Sequence, residues 1–282
     1  MTIAHPVAAV RPFRFGVVTM PTPASSIATL QATARAAADQ GYSTLLAPDA
    51  MFLLSPLPTL AIAAAAADIR VGTLVMSTPL RAPAVAAREA HTLSVLTEGR
   101  FELGIGAGLP ATAPSEVFGV EFESPAQRIR RVDEIVERIK ALDKGKLSHF
   151  TIAAGGPKTR DLAARVAHSA ILTGNPYEDA ASHKSLVDDF RERAGDRADD
   201  VELVMNLLVI GNGPVDAGVI QARGLDPDQL LAGNAVSVLR GTVTEMCDEL
   251  QRRRELIGSS YITVSEPMMA DFAPLVERLR GK

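Results

Sequence analysis

TEGRFELGIGAG, residues 97–108, is the stretch on which the reading of the fold turns. A helix ending at Glu98-Gly99 runs straight into a short strand, 100–105, which gives way to the alternating glycines Gly104, Gly106 and Gly108. Period-2 alternation places Phe101, Leu103 and Ile105 on one face and Glu102, Gly104 and Gly106 on the other. A strand face stripped of side chains lets a flat ring or another backbone approach closely. The run is not the dinucleotide fingerprint, which needs glycine where Leu109 stands. Taken alone, such a run marks a bent, tightly packed strand more often than a ligand site.

Outward from this stretch the chain alternates strand and helix. Strands are expected at 13–18, 44–47, 69–76, 100–105, 148–154, 170–173, 202–210 and 260–264. Helices are expected at 26–40, 58–67, 83–96, 125–142, 158–167, 177–194, 243–256 and 272–279. Ser25 or Ser26 can cap the first helix, Gly41 can close it in the left-handed conformation, and Pro83 and Pro157 suit first-turn positions. Eight strand–helix units without a linker predict an α/β fold, a closed (β/α)8 TIM barrel, as a single domain over residues 1–282. A doubly wound sheet would carry its ligand glycines after the first strand. Residues 211–241 break the rhythm and read as an insertion with a short helix at 226–231.

Composition narrows the function classes. Of 282 residues, 47% are hydrophobic, enough for a sizeable core. A net charge of −4 argues against binding nucleic acid by neutralising phosphates. The one basic run, Arg252-Arg253-Arg254, reads as a solvated helix face beside Glu249 and Glu255. No window of about 20 uncharged apolar residues exists, and residues 1–10 lack the pattern of a signal peptide, so neither membrane nor secretion is expected. A single cysteine, Cys247, fits a reducing cytoplasm and reads as a small buried hydrophobe. His5, His91, His149, His168 and His183 show no metal-ligand spacing, so no metal is expected. His91 reads as a helix histidine satisfied locally. Glu102, on the glycine face, should pair with an arginine, for which Arg81 and Arg88 are candidates.

The glycine run, preceded by AREAHTLSVLTE at 87–98, resembles the luciferase-like flavin and deazaflavin oxidoreductases, in particular their coenzyme-F420-dependent actinobacterial branch. RPFRFGV at 11–17, DQGYSTLLAPD at 39–49, RVGTLVM at 70–76, AAGGPKTRDLAARVAHSA at 153–170, GSSYITV at 258–264 and FAPLVERL at 272–279 extend the resemblance in order along nearly the whole chain. It implies an enzyme passing hydride between F420 and a small organic substrate. FMN and monooxygenation are the alternative, as is a barrel that has lost its chemistry. Pairing of two copies through helices near the second and third strands is implied as well.

In such a barrel the site lies at the carboxyl ends of the strands. The resemblance places Met76, Ser77 and Thr78 beside the cofactor ring, where the family often has a non-proline cis peptide. Gly106, Ala107 and Gly108 end the glycine strand on the same side. Gly155 and Gly156 open a helix whose amides and dipole suit a phosphate, with Lys158 adding a cation, and the resemblance places the cofactor phosphate in this region, which makes Gly155, Gly156, Thr173 and Gly174 the phosphate candidates. Asp49 matches the family's acidic residue after the second strand, but Ala50 stands where histidine is usual, and alanine can neither donate nor accept a proton. Leu109-Pro110 replaces the usual aromatic residue, and the short segment 144–147 leaves no room for a substrate-covering insertion. No catalytic residue is assigned from sequence.

Overall fold

A computed structural model describes residues 11–109, 119, 121–145, 148–215, 220 and 224–282. The readings made of residues 1–10, Pro110, Lys146, Leu147 and parts of 211–241 fall outside them. Eight strands follow in chain order: β1 (Arg14–Val18), β2 (Thr44–Ala47), β3 (Arg70–Thr73), β4 (Phe101–Gly106), β5 (His149–Ala154), β6 (Ser169–Leu172), β7 (Glu202–Asn206) and β8 (Ser259–Ser265). All are parallel, each pairs with its sequence neighbour, and β8 returns to β1, closing the expected (β/α)8 barrel. The helices are α1 (Ile27–Asp39), α2 (Pro56–Ala66), α3 (Pro83–Leu96), α4 (Pro125–Asp143), α5 (Pro157–Val166), α6 (Ala180–Ala194), α7 (Val243–Ile257) and α8 (Met269–Leu279).

Local chemistry sets the element ends. Ser26 caps α1 through the Thr29 amide, and Gly41 follows the helix at φ +83°. Pro56, Pro83, Pro125 and Pro157 open α2 to α5, at positions where a missing N–H leaves nothing unpaired. Two strands are shorter than expected. β3 stops at Thr73, passes a cis Leu74–Val75 peptide and pairs again at Met76–Ser77. β7 stops at Asn206, and Val209–Ile210 pairs instead with Val238–Leu239.

The excursion after β7 packs Val209, Ile220, Leu230, Ala235 and Val238 into a small core of its own. Its anchor corrects the reading of the basic run. Arg253 is only 2% exposed and donates to the carbonyls of Val236 and Val238 at 2.6 and 2.8 Å. Arg252 does pair with Glu249 on the surface, whereas Arg254 lies 4.0 Å from the centre of the Phe13 ring. Cys247 is buried as expected, and burial pushes its thiol up.

Strand alternation produces two apolar layers and one polar one. Phe15, Val17, Leu103, Ile105, Phe150 and Ile152 are among the residues of the large core shared by strands and helices. Val18, Leu46, Val204 and Tyr261 form a separate cluster with Leu74 and Ile171. Towards the amino ends of the strands the alternation brings charges together. Arg14 bridges Glu102 and Glu202, both at 2.7 Å, and lies 3.5 Å from the centre of the Tyr261 ring. Arg70 reaches Glu102 at 2.6 Å, and His149 meets Ser169 at 3.0 Å.

Glu102 thus pairs with Arg14 and Arg70, not with Arg81 or Arg88. Glu102 is the second residue of β4, near its amino end, whereas Arg81 follows the opposite, carboxyl end of β3. Nearness in sequence did not become nearness in space. Burial alone would raise the Glu102 carboxyl, but the surrounding positive charge, chiefly that of Arg14, holds it at about 2. Burial, reinforced by Arg14 against the pull of Glu102, holds the His149 imidazole down at about 4.

These two groups give a pH dependence of stability with a definite sign. An unfolded histidine takes up its proton near pH 6.5, before folded His149 does, so stability falls as pH drops from 6.5 towards 4. Between pH 7 and 5 this loss is about 2 kcal/mol. Glu102 acts in a lower window: its contribution is present above about pH 4.5 and is lost as pH falls towards 2. Urea unfolding at pH 7 and 5 is expected to reveal the first loss, and His149→Gln to shrink it. An equal pH slope in the variant would contradict the assignment to His149.

Candidate functional site at the carboxyl ends of the strands

The glycine face of β4 receives another backbone. A Cβ on Gly104 would lie 1.9 Å from the Thr73 carbonyl oxygen, and one on Gly106 would lie 3.0 Å from Val75 Cγ2. The chain of β3 crosses this face, held by Thr73 Oγ1, which donates to the Gly104 carbonyl at 2.6 Å. Gly108, at φ +76°, leaves room for Ser77 Oγ, which would stand 2.6 Å from a Cβ there. Met76 and Ser77 pair with Ile105 and Gly106. The hydroxyls of Ser77 and Thr78 are buried and have no hydrogen-bond partner.

Asp49 is fixed rather than free. It accepts the Ser77 N–H at 3.0 Å and both terminal nitrogens of Arg81, whose guanidinium also reaches Ser55 Oγ at 3.3 Å. The pair ties the loop after β2 to the turn after β3, with Ala50 buried next to it. Arg128, which the sequence reading missed, donates to the carbonyls of Ala107 and Gly108 at 2.9 and 2.6 Å. Its signal was its place in the first turn of the helix that follows the glycine strand.

The remaining candidates lie after β5 and β6. Gly156 is the N-cap of α5, and its N–H donates to Thr159 Oγ1 at 2.9 Å. A Cβ on Gly155 would meet nothing nearer than the Thr173 carbonyl at 3.7 Å, and one on Gly156 nothing nearer than 4.0 Å. Arg160 braces the turn through the Gly155 carbonyl at 2.9 Å and Asp189 at 2.6 Å. Gly174 is different, because Glu178 Oε1 would stand 2.5 Å from a Cβ there, and Glu178 pairs with His183 at 2.6 Å.

The structure therefore brings Asp49, Met76, Ser77, Thr78, Gly106, Ala107 and Gly108 together at the ends of β2 to β4. Gly155, Gly156, Thr173 and Gly174 form a second group at the ends of β5 and β6. Ala153 links the two, its Cβ lying 3.3 Å from where a Gly106 Cβ would be. His91 departs from its expected local satisfaction, since its Nδ1 is buried without a partner. Among the described residues no His, Cys, Asp and Glu group could hold a metal, and no helix is long and apolar enough to cross a membrane.

Residues 12–215 match the model of the luciferase-like monooxygenases. The chain belongs to the luciferase-like monooxygenase family. This luciferase-like chain is 29% identical over 194 residues to an F420-dependent glucose-6-phosphate dehydrogenase of Microbacterium testaceum, covering 60% of this chain and 57% of that one. It spans 57% to 64% of the length of the first curated relatives it resembles, less than two thirds. Among solved structures it resembles the F420-dependent tetrahydromethanopterin reductase of Methanopyrus kandleri, with TM-score 0.70, 17% identity and coverage of 96% and 99% of the two chains. It also resembles a long-chain alkane monooxygenase, with TM-score 0.74, 14% identity and coverage of 96% and 92%. Both likenesses are of fold.

Proposed function

We propose that this luciferase-like barrel is an oxidoreductase that passes hydride between coenzyme F420 and a small organic substrate. The observation that carries the reading is the open Gly155–Gly156 turn at the start of α5, where neither glycine is filled by a neighbouring side chain. Exposed amides at a helix start, with the positive end of its dipole, suit the phosphate of such a cofactor. Lys158, exposed in the first turn, adds a positive charge. Glu178 beside Gly174 opposes a phosphate there, so the anion would lie on the Gly155 side. The F420-dependent relative supports the choice of F420 over FMN.

When bound, the deazaflavin would supply the ring carbon that gives or takes hydride. The protein's own share is positional. Val75, on the glycine face of β4, would back the ring, while Met76 is buried in the large core, and the Asp49–Arg81 pair would hold the Ser77–Thr78 turn beside it. Asp49 is committed to Arg81, and Ala50 has no proton to move, so neither is assigned acid–base work. Two copies would pair through the outer face of α2, where Pro58 and Ala65 are exposed.

Titrating the purified chain with F420, and separately with FMN, tests the reading by cofactor fluorescence. Micromolar or tighter binding of F420 is expected. Gly156→Asp is expected to weaken it at least tenfold, because a carboxylate would face the phosphate. The same aspartate is a good N-cap, so the fold should be kept or strengthened. Equal affinity in the variant would remove the phosphate assignment. Binding of FMN alone would move the reaction to oxygen chemistry, and binding of neither would mark a barrel without cofactor chemistry.

A further inference from the structure

The mouth of the barrel on its β1 to β4 side is apolar, although charged residues reach it. Met20 after β1 is 46% exposed, and Met51 and Phe52 after β2 are 42% and 54% exposed. They lie on adjoining loops: the Leu54 N–H donates to the Pro21 carbonyl at 2.9 Å, and the Leu53 N–H closes a turn on the Ala50 carbonyl at 2.9 Å. Leu109, also exposed, follows the Gly108 turn that packs on Ser77 and Pro79. The sequence agrees, because residues 19–26 carry no charge and residues 48–55 carry only Asp49.

Among the described residues, Asp49, Arg81, Arg128 and Glu266 at this side all have partners. Asp49 holds Arg81, which also approaches Glu89 at 3.8 Å. Arg128 holds the carbonyls of Ala107 and Gly108 through Nη1, while its Nε is buried without a partner. Glu266, at the end of β8, accepts from the hydroxyls of Thr19 and Thr33. A phosphorylated or carboxylated substrate that turned to Arg81 would have to draw it off Asp49. That would strand a buried carboxylate, which is strongly unfavourable. An uncharged apolar molecule needs no such exchange and gains from covering the exposed methionines and phenylalanine.

We propose that the substrate is an uncharged, largely apolar molecule seated against Met20, Met51 and Phe52, and not a sugar phosphate like the one named for the Microbacterium relative. The inference rests on the hydride-transfer reading for its chemistry, but its binding test does not need the cofactor. Nile red, an uncharged dye, is expected to bind the purified chain with enhanced, blue-shifted emission. The double variant Met20→Ser/Phe52→Ser should lose at least tenfold in dye affinity while F420 affinity changes less than twofold. A medium-chain ketone such as 2-octanone should displace the dye, and glucose 6-phosphate should not. Unchanged dye affinity in the variant overturns the apolar site, as does displacement by glucose 6-phosphate or its turnover with F420. Dye binding of the expected kind in a chain that fails to bind F420 overturns the hydride reading and leaves the apolar site standing.

Discussion

Arg14→Met should destabilise the barrel by about 3–5 kcal/mol, the range for removing one partner from a buried ion pair. Arg14 touches both acids of the polar layer, Glu102 and Glu202, and Glu102 is only 2% exposed. Without the guanidinium, Glu102 keeps Arg70, while Glu202 keeps the hydroxyls of Ser169 and Ser260 at 3.3 and 3.4 Å. The Glu102 carboxyl also loses the strongest of the charges that hold it low, so its pKa should rise and it should protonate at milder acidity. Urea unfolding at pH 7 measures the loss. Adding Glu102→Leu to Arg14→Met should recover part of it, because the stranded carboxylate goes with its partner. A single variant within about 1 kcal/mol of the parent would mean that this layer is hydrated and its ions are worth little.

The fold was legible because strands and helices leave different periods in the sequence. Phe101, Leu103 and Ile105 alternate with Glu102, Gly104 and Gly106, and the structure keeps them on opposite faces of β4. What spacing does not carry is contact across the barrel. Glu102 and Arg14 are 88 residues apart and meet only because eight parallel strands bring their amino ends to one level. Arg253 was legible in principle: Met246, Leu250, Arg253 and Ile257 recur at helical spacing on the buried face of α7. Reading the three arginines as a block hid that stripe. At the candidate site, sequence located the carboxyl-end turns but not which of them a neighbouring segment fills. Gly104 and Gly155 are the same residue type, yet β3 covers one and nothing fills the other. The partners Arg81 and Arg128 depend on how loops and helix starts lie over strand ends, which a linear pattern does not record.

That contrast leads to the second large effect, in a series of glycine-to-alanine changes. Gly104→Ala is expected to cost about 3 kcal/mol, the upper end for overpacking, and to lower Tm by roughly 10 °C. The new Cβ would lie 1.9 Å from the Thr73 carbonyl oxygen, a backbone atom that cannot rotate away. Relief would need β3 to lift off β4, breaking the bond from Thr73 Oγ1 to the Gly104 carbonyl and shifting Met76 and Ser77, which pair with the same strand. Gly106→Ala should cost far less, because its close contact at 3.0 Å is the end of the Val75 side chain, which can turn. Gly155→Ala, with nothing nearer than 3.7 Å, should leave stability within about 0.5 kcal/mol. Thermal unfolding of the three variants checks the order. If Gly104→Ala melted with Gly155→Ala, the close passage of β3 across the glycine face would be wrong, and so would the placement of Ser77 and Thr78 that depends on it.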